Sequence, residues 1–205
     1  MYKKHWGLSR APFEAGTDPA GFYSSPTHEE ALSRLNFLVE HQRHLGILSG
    51  ASGTGKTLLL EVFAEHWRQH GAHVASLSLL GLAPDEFVWK LAAELGLAPD
   101  ERSTTFGLWR RISDRIAEHR YQQLDTIVIL DDANQADPAT MPHVTRLAKT
   151  DRSPEPRLRL FLSTCPDGLR RLGWSLLEMA ELRIELPTWE PEETAEFVAE
   201  TLRAA

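Results

Sequence analysis

Gly50-Ala51-Ser52-Gly53-Thr54-Gly55-Lys56-Thr57 is the stretch from which the fold of this chain is predicted. It fits the pattern G-x-x-x-x-G-K-[ST], which forms the phosphate-binding loop of nucleotide hydrolases. The apolar run 45–48 before it is typical of a buried strand, and apolar residues recur at helical spacing after it. Because strand, loop and helix follow one another in this order, the sequence predicts a P-loop nucleotide-binding fold.

The predicted loop would bind phosphate through its backbone and through two side chains. Its glycines allow a tight turn whose N–H groups converge on phosphate oxygens. The helix that begins near Gly55 adds the partial positive charge of its N-terminus. We expect Lys56 to reach the β- and γ-phosphates and the Thr57 hydroxyl to ligate Mg²⁺. The residues predicted to bind nucleotide are Gly50, Ala51, Ser52, Gly53, Thr54, Gly55, Lys56, Thr57 and Leu58.

A second motif consists of two acids after an apolar, β-branched run. Residues 126–130 have the pattern of a strand buried on both faces, and Asp131-Asp132 follow directly. We expect the end of this strand to lie beside the phosphate loop, where Asp131 would hold Mg²⁺. Asp132 would then orient or deprotonate the attacking water. A carboxylate that caps the next turn is the alternative, and the presence of the phosphate loop upstream favours the Mg²⁺ interpretation.

Strand and helix patterns alternate along the whole chain. This alternation predicts a parallel sheet covered on both faces, with right-handed connections. Residues 1–30 are turn-rich but contain many large apolar side chains, so we expect this segment to pack on the domain. Strands are predicted at residues 45–48, 73–78, 126–130, 158–164 and 182–186, and helices at about residues 27–42, 56–70, 84–95, 103–120, 137–149 and from 191 onward.

Length, charge and cysteine content limit the classes of function. A chain of 205 residues suits one α/β domain with a small appendage. The net charge of −7 argues weakly against a protein that coats nucleic acid, although it leaves room for a local basic patch. Cys165 is the only cysteine, which suits a reducing compartment. No signal peptide or apolar run of membrane-spanning length is found, so we expect a cytoplasmic protein without membrane insertion.

A resemblance to a known family rests on residues at both ends of the chain as well as on the two nucleotide motifs. By these residues the chain resembles AAA+ ATPases of the general secretion pathway protein A type, which are related to transposon-encoded AAA+ ATPases. The resemblance covers nearly the whole chain. The terminal residues that carry it are Tyr2, Gly7-Leu8, Pro12-Phe13, Asp18-Pro19, Phe22-Tyr23, His28, Ala31-Leu32, Glu192-Glu193-Thr194, Phe197-Val198 and Leu202-Arg203.

The resemblance implies a three-layer α/β/α fold with a five-stranded parallel sheet in the order 5-1-4-3-2. It implies ATP and Mg²⁺ as ligands and a nucleotide-dependent oligomer such as a hexamer. Residues 1–187 would form the AAA+ nucleotide-binding domain, with residues 1–30 as its packing segment. Residues 188–205 would be the first helix of a helical lid that is shortened here.

The resemblance also assigns catalytic roles outside the phosphate loop. Asn134 would act beside Asp132, and a polar group after the fourth strand would sense the γ-phosphate. That group is Thr164, Ser163 or neither. An arginine in or directly after the loop before that strand, Arg152, Arg157 or Arg159, would reach the γ-phosphate of a neighbouring subunit. A solvated basic loop is an equally weighted alternative for these arginines.

One departure from the family pattern bears on activity, because Asp132 stands where the family has glutamate. The shorter side chain predicts slow ATP hydrolysis. Three hypotheses follow: an ATPase that remodels or assembles a protein partner such as a secretion component, a DNA-associated ATPase of the transposition type, and a nucleotide-binding scaffold with little hydrolysis. The negative net charge disfavours the second hypothesis, and Asp132 favours the third.

Overall fold

Five parallel strands form the sheet in the computed structural model, which describes Phe13, Gly16, residues 18–151, Ser153 and residues 155–203. Their order is β2-β3-β4-β1-β5, and each neighbouring pair is parallel. This confirms the predicted order 5-1-4-3-2 and all five predicted strands. The strands are β1 (Leu45–Gly50), β2 (His73–Ser78), β3 (Thr126–Asp131), β4 (Leu158–Thr164) and β5 (Leu182–Leu186).

Seven α-helices lie in the described part of the chain. They are α1 (Pro26–Glu40), α2 (Lys56–Gln69), α3 (Pro84–Glu94), α4 (Thr105–Tyr121), α5 (Met141–Ala148), α6 (Trp174–Met179) and α7 (Pro191–Arg203). The sequence predicted a single helix that begins at Asp137. In the structure, the Asp137 carboxylate instead accepts from the Ala139 N–H at 2.8 Å and caps a separate 3₁₀ turn before α5. The sequence also missed α6, because six residues are too few to show helical periodicity.

The helices cover the sheet on both faces. On one face, α1 and α2 bury Leu35 and Phe63 against strand residues such as Phe161. On the other face, α3 and α4 bury Phe87 and Ile112 in a core that also includes α5 and α6. All six residues of β3 are buried, as expected for a central strand with helices on both sides. The predicted three-layer arrangement is therefore confirmed.

The segment before α1 packs on the domain and on the start of α7. Phe22 lies against the core that α1 and α2 form. The Tyr23 ring lies 5.6 Å from the ring of Trp189 and 5.5 Å from that of Phe197 on α7. The described part of the predicted packing segment therefore contacts the C-terminal part of the chain as well as the core. Residues 1–12 lie outside the described ranges.

Within the described ranges, none of the helices combines the length and the hydropathy that crossing a bilayer requires.

Candidate nucleotide-binding site

The glycine-rich stretch forms the connection between β1 and α2. β1 ends at Gly50, two residues beyond the predicted strand, and α2 begins at Lys56, as the sequence predicts. Gly55 has a φ of +84°, which favours glycine, and a Cβ there would lie 2.9 Å from Nε2 of His28. At Gly50 a Cβ would lie 2.7 Å from the backbone oxygen of Leu186. Glycine at these two positions therefore lets the loop close against both α1 and β5.

Lys56 lies across the loop that precedes it. Its Nζ donates to the backbone oxygen of Gly50 at 2.9 Å and to that of Ala51 at 2.8 Å. The ammonium group is thereby held at the start of the loop. An anion in the loop would therefore meet both this charge and the N-terminus of α2.

Asp131 brings the two predicted motifs into contact. The Thr57 hydroxyl donates to its Oδ2 at 2.6 Å, and the Ser163 hydroxyl donates to its Oδ1. Asp131 is 8% exposed and is held between three elements, since it ends β3, Thr57 lies in the first turn of α2 and Ser163 lies on β4. A carboxylate beside a hydroxyl is a donor set that suits Mg²⁺, which takes oxygen ligands and completes its shell with phosphate and water. These residues fit the ion that the sequence predicts.

Asp132 follows at the turn out of β3. Its φ of 53° is in the left-handed region, and its N–H donates to the Ser163 hydroxyl at 2.9 Å. Burial and the neighbouring Asp131 charge raise the pKa of this carboxyl, and the Lys56 charge opposes them. The Asp132 carboxyl therefore experiences the charges of both predicted motifs, Asp131 at the strand end and Lys56 at the phosphate loop.

A cavity of about 550 Å³ opens beside the phosphate loop. The loop forms one wall, and side chains from both ends of the chain form the others. This volume lies within the roughly 300–1,000 Å³ of small-molecule sites, and its mixed aromatic and polar lining suits a nucleoside. Sequence reasoning did not identify this cavity, although Phe22, Tyr23, His28 and Phe197 belong to the terminal patterns that carried the resemblance.

The chain matches a known protein family over more than half of its length. Residues 39–172 match the family described as AAA domain. The chain belongs to this AAA family. The match includes the phosphate loop, both acids and the end of β4, so the predicted resemblance to AAA+ ATPases and the predicted fold class are confirmed.

The chain is similar in sequence to one curated secretion protein and in fold to several solved structures. The chain is 24% identical over 184 residues to General secretion pathway protein A of Aeromonas hydrophila, covering 90% of this chain and 34% of that protein. It therefore spans about a third of the length of this relative. The crystal structure of Cdc6p from Pyrobaculum aerophilum aligns with a TM-score of 0.71 at 19% identity, covering 91% of this chain and 54% of that one. The Aeropyrum pernix ORC1 protein, in complex with DNA, aligns with a TM-score of 0.66 at 16% identity, covering 89% and 51%. These structures support the fold.

Thr164 and Asn134 lie together next to the acidic motif. The Thr164 hydroxyl donates to the backbone oxygen of Cys165 at 3.1 Å, and Oδ1 of Asn134 accepts from the Cys165 N–H at 3.3 Å. A Cβ at Gly168 would lie 2.4 Å from Cβ of Asn134, so the three residues are closely packed. Ser163, the alternative that the sequence left open, is the residue that bonds to both acids. The catalytic roles of Thr164 and Asn134 stay predictions.

Arg157 lies far from the loop of its own subunit. It directly precedes β4, at the sheet edge where the parallel strands begin, whereas the phosphate loop lies where they end. Its Nη1 donates to Oδ1 of Asp125 at 3.2 Å, and its side chain is 27% exposed. A role for Arg157 at the phosphate loop of another subunit stays a prediction. Arg159 is buried on β4, where its Nη1 lies 3.0 Å from Oδ1 of Asp125. Arg152 lies outside the described residues.

Replacing Thr57 with alanine is expected to lower ATP affinity about 10-fold in the presence of Mg²⁺, because the hydroxyl beside Asp131 is lost. Affinity without Mg²⁺ should change little. Calorimetric titration with ATP, with and without Mg²⁺, measures both quantities. Thr57→Ser keeps the hydroxyl and is the matched control. An equal loss with and without Mg²⁺ would contradict the assignment of Thr57 as a Mg²⁺ ligand.

Proposed function

We propose that this AAA domain binds and hydrolyses ATP with Mg²⁺ and couples its nucleotide state to the remodelling or assembly of a protein partner in the cytoplasm. The observation that carries the proposal is the 2.6 Å hydrogen bond between Thr57 and Asp131. It joins the phosphate loop to the acidic strand end, with the Lys56 ammonium at the start of the same loop. A P-loop hydrolase needs this combination of cation, Mg²⁺ ligands and nearby carboxylate.

Each residue has a defined task in the proposed reaction. Lys56 and the loop N–H groups bind the β- and γ-phosphates, and Thr57 with Asp131 would hold Mg²⁺, which would neutralise phosphate charge. Asp132 orients the attacking water and accepts its proton. Thr164 and Asn134 are proposed to position groups around the γ-phosphate.

We further propose that turnover is slow. An aspartate carboxyl ends one C–C bond, about 1.5 Å, short of the glutamate that the family pattern has here, and misplacement by about 1 Å can cost on the order of 100-fold in rate. Asp132 therefore supports weak hydrolysis with normal nucleotide binding. In the limit of negligible turnover, the domain would act as a nucleotide-dependent scaffold.

The similarity to General secretion pathway protein A supports the choice of partner. We propose that the partner is a secretion component and that subunits associate when nucleotide is bound. An arginine of one subunit, Arg157 or Arg152, would then contact the γ-phosphate in the next. Such contacts are a recurrent source of rate acceleration in phosphoryl transfer.

A DNA-associated ATPase is the second candidate. It is favoured by the fold similarity to ORC1 of Aeropyrum pernix, which was solved in complex with DNA. The net charge of −7 opposes it, because phosphate-backbone binding relies on lysine and arginine.

Three measurements test the proposal. Calorimetry should show Mg²⁺-dependent ATP binding, and phosphate release should be measurable but below the roughly 1–100 s⁻¹ of kinases. Fluorescence anisotropy with duplex DNA, with and without ATP at two salt concentrations, should show no ATP-dependent binding. Salt-sensitive DNA binding that requires ATP would favour the second candidate. Binding without phosphate release would favour the scaffold.

Replacing Arg157 with alanine should lower turnover at least roughly 10-fold at protein concentrations that support assembly, with ATP affinity unchanged. The reason is that the guanidinium is proposed to act in the neighbouring subunit and not in its own. Steady-state phosphate release measures the effect. Arg120→Ala is the matched control, because Arg120 forms a comparable ion pair at 3.2 Å with Asp151. Equal losses in both variants would rule out a specific role for Arg157.

A further inference from the structure

His28 lies between the phosphate loop and the segment that leads into α7. It belongs to the first turn of α1 and is 5% exposed. Its Nε2 is 3.1 Å from the backbone oxygen of Thr54, in the phosphate loop. Its Nδ1 is 2.9 Å from Oγ of Ser25 and 3.1 Å from Nε1 of Trp189. One buried imidazole therefore contacts the loop on one side and the chain before α7 on the other.

The partners of His28 determine where its proton lies. A backbone oxygen only accepts and an indole N–H only donates, so Nε2 must donate to Thr54 and Nδ1 must accept. The Trp189 N–H also reaches Oγ of Ser25 at 2.9 Å, and the Ser25 hydroxyl can donate to Nδ1. The bonds thus run in one direction from Trp189 through Ser25 and His28 to Thr54. This chain requires the neutral Nε2–H tautomer.

The surroundings of the ring favour this neutral form. The rings of Phe22 and Trp189 lie edge-on to the imidazole at centroid distances of 5.6 and 5.3 Å. Burial lowers the pKa of His28, while the bond to Thr54 and the charge of Glu193 on α7 act in the opposite direction. The net lowering keeps His28 neutral at pH 7.

The ring also limits the space available to the loop backbone. A Cβ at Gly55 would lie 2.9 Å from Nε2 of His28, so the loop backbone rests against the imidazole. Lys56 and Thr57 come directly after this contact. A change in the position of the ring would therefore shift the backbone that places both side chains.

We propose that His28 is a positioning residue that ties the conformation of the phosphate loop to the docking of Trp189 before α7. The consequence of this link for ATP rests on the proposed function. Nucleotide affinity is then higher when Trp189 is docked. By thermodynamic reciprocity, ATP in the loop then strengthens the docking of this segment. A partner that pulls on α7 would loosen the loop, and ATP binding would resist that movement.

Two amide side chains test the two halves of the contact separately. In His28→Gln, the amide nitrogen lies as many bonds from Cβ as Nε2 does and can still donate to Thr54. In His28→Asn, the amide oxygen lies as many bonds from Cβ as Nδ1 does and can still accept from Ser25 and Trp189, but the bond to Thr54 is lost. Trp189→Phe removes the indole N–H and keeps an aromatic ring. Trp67→Phe is the matched control, because its indole N–H bonds elsewhere, to Asn36 at 3.0 Å.

Hydrogen exchange of the nucleotide-free protein tests the link directly. Loop amides of residues 51–57 should exchange about 3- to 10-fold faster in His28→Asn and in Trp189→Phe, and at the wild-type rate in Trp67→Phe. In His28→Gln the loop should stay protected, and adding Trp189→Phe to it should have no further effect. Central amides of β3 serve as the internal measure of global stability. Unchanged loop exchange in Trp189→Phe, or additive effects in the double variant, would overturn the proposal.

Calorimetry with Mg²⁺-ATP separates this inference from the proposed function. ATP affinity should fall about 3- to 10-fold in His28→Asn and in Trp189→Phe and should be retained in His28→Gln. If the wild-type protein binds no ATP while the loop exchange still depends on Trp189, the proposed function fails and the link stands. If ATP binds and Trp189→Phe changes neither exchange nor affinity, the link fails and the proposed function stands.

Discussion

Replacing Lys56 with alanine is expected to lower ATP affinity about 100-fold. The ammonium group lies at the start of the loop, 2.9 Å from the backbone oxygen of Gly50 and 2.8 Å from that of Ala51. It would be the cation that faces the β- and γ-phosphates, and a charge-assisted hydrogen bond contributes about 1.5–3 kcal/mol. With about 1.4 kcal/mol for each tenfold change, losing one or more such bonds gives this factor. Calorimetric titration with Mg²⁺-ATP measures it.

Two comparisons make the Lys56 result specific. Lys90→Ala, on the exposed side of α3, removes an equal charge away from the loop and should leave affinity unchanged. Thermal unfolding of Lys56→Ala should resemble that of the wild type, because the lysine is partly exposed and its hydrogen bonds go to backbone oxygens of its own loop. Unchanged ATP affinity in Lys56→Ala would refute the phosphate-loop assignment itself.

The second large effect is expected at Asp132. Asp132→Asn should lower turnover by roughly 100-fold or more, because general-base catalysis contributes about 10²–10⁴ and an amide accepts no proton at neutral pH. Asp132→Glu should raise turnover by on the order of 10-fold, since the longer side chain brings the carboxylate closer to the water in line with the γ-phosphate. ATP affinity should be retained in both variants, because Lys56, Thr57 and Asp131 are intact. Phosphate release under saturating ATP measures the rates.

Asp137→Asn is the matched control for the Asp132 variants. The Asp137 carboxylate accepts from the Ala139 N–H at 2.8 Å, a bond that asparagine can also make. Its turnover should therefore equal that of the wild type. If Asp132→Glu leaves turnover unchanged or lowers it, the shorter acid is already well placed and the slow-hydrolase proposal is wrong. If Asp132→Asn has no effect, another residue activates the water.

Combining Lys56→Ala with Trp189→Phe tests whether the link through His28 acts on the lysine. Lys56 and Thr57 follow the loop residues that the imidazole contacts, so the two sets of substitutions act on one structural unit. Residues in contact usually show non-additive effects. Coupling between Lys56→Ala and Trp189→Phe in ATP affinity would show that docking of Trp189 acts through the placement of the lysine.

Much of the fold could be predicted because its signals are local. The strand, glycine-rich loop and helix around Lys56 are specified by residues adjacent in sequence, and β3 by an unbroken apolar run. The alternation of strands and helices predicted a parallel sheet, since parallel neighbours need a crossover between them. The strand order came from the family resemblance, and the structure confirms it.

Only the tertiary structure decides which side chain at the end of β4 faces the two acids. Successive side chains of a strand point to opposite faces, so Ser163 and Thr164 cannot both turn to the acids. Both are polar, and nothing in their local pattern distinguishes them. The register of β4 against β3 turns Ser163 toward Asp131 and Asp132, while Thr164 bonds to Cys165.

The sequence by itself determined the phosphate loop, the acidic strand end and the layered α/β architecture, because each depends on residues that are neighbours in the chain or repeat at a regular spacing. The contacts of His28 depend on packing, since Thr54 is 26 residues away from it and Trp189 is 161 residues away. Hydrogen bonds between such distant residues form only when the sheet brings both ends of the chain to the edge where its strands end. The nucleotide motifs are therefore local, whereas the connection between the loop and α7 is a property of the folded chain.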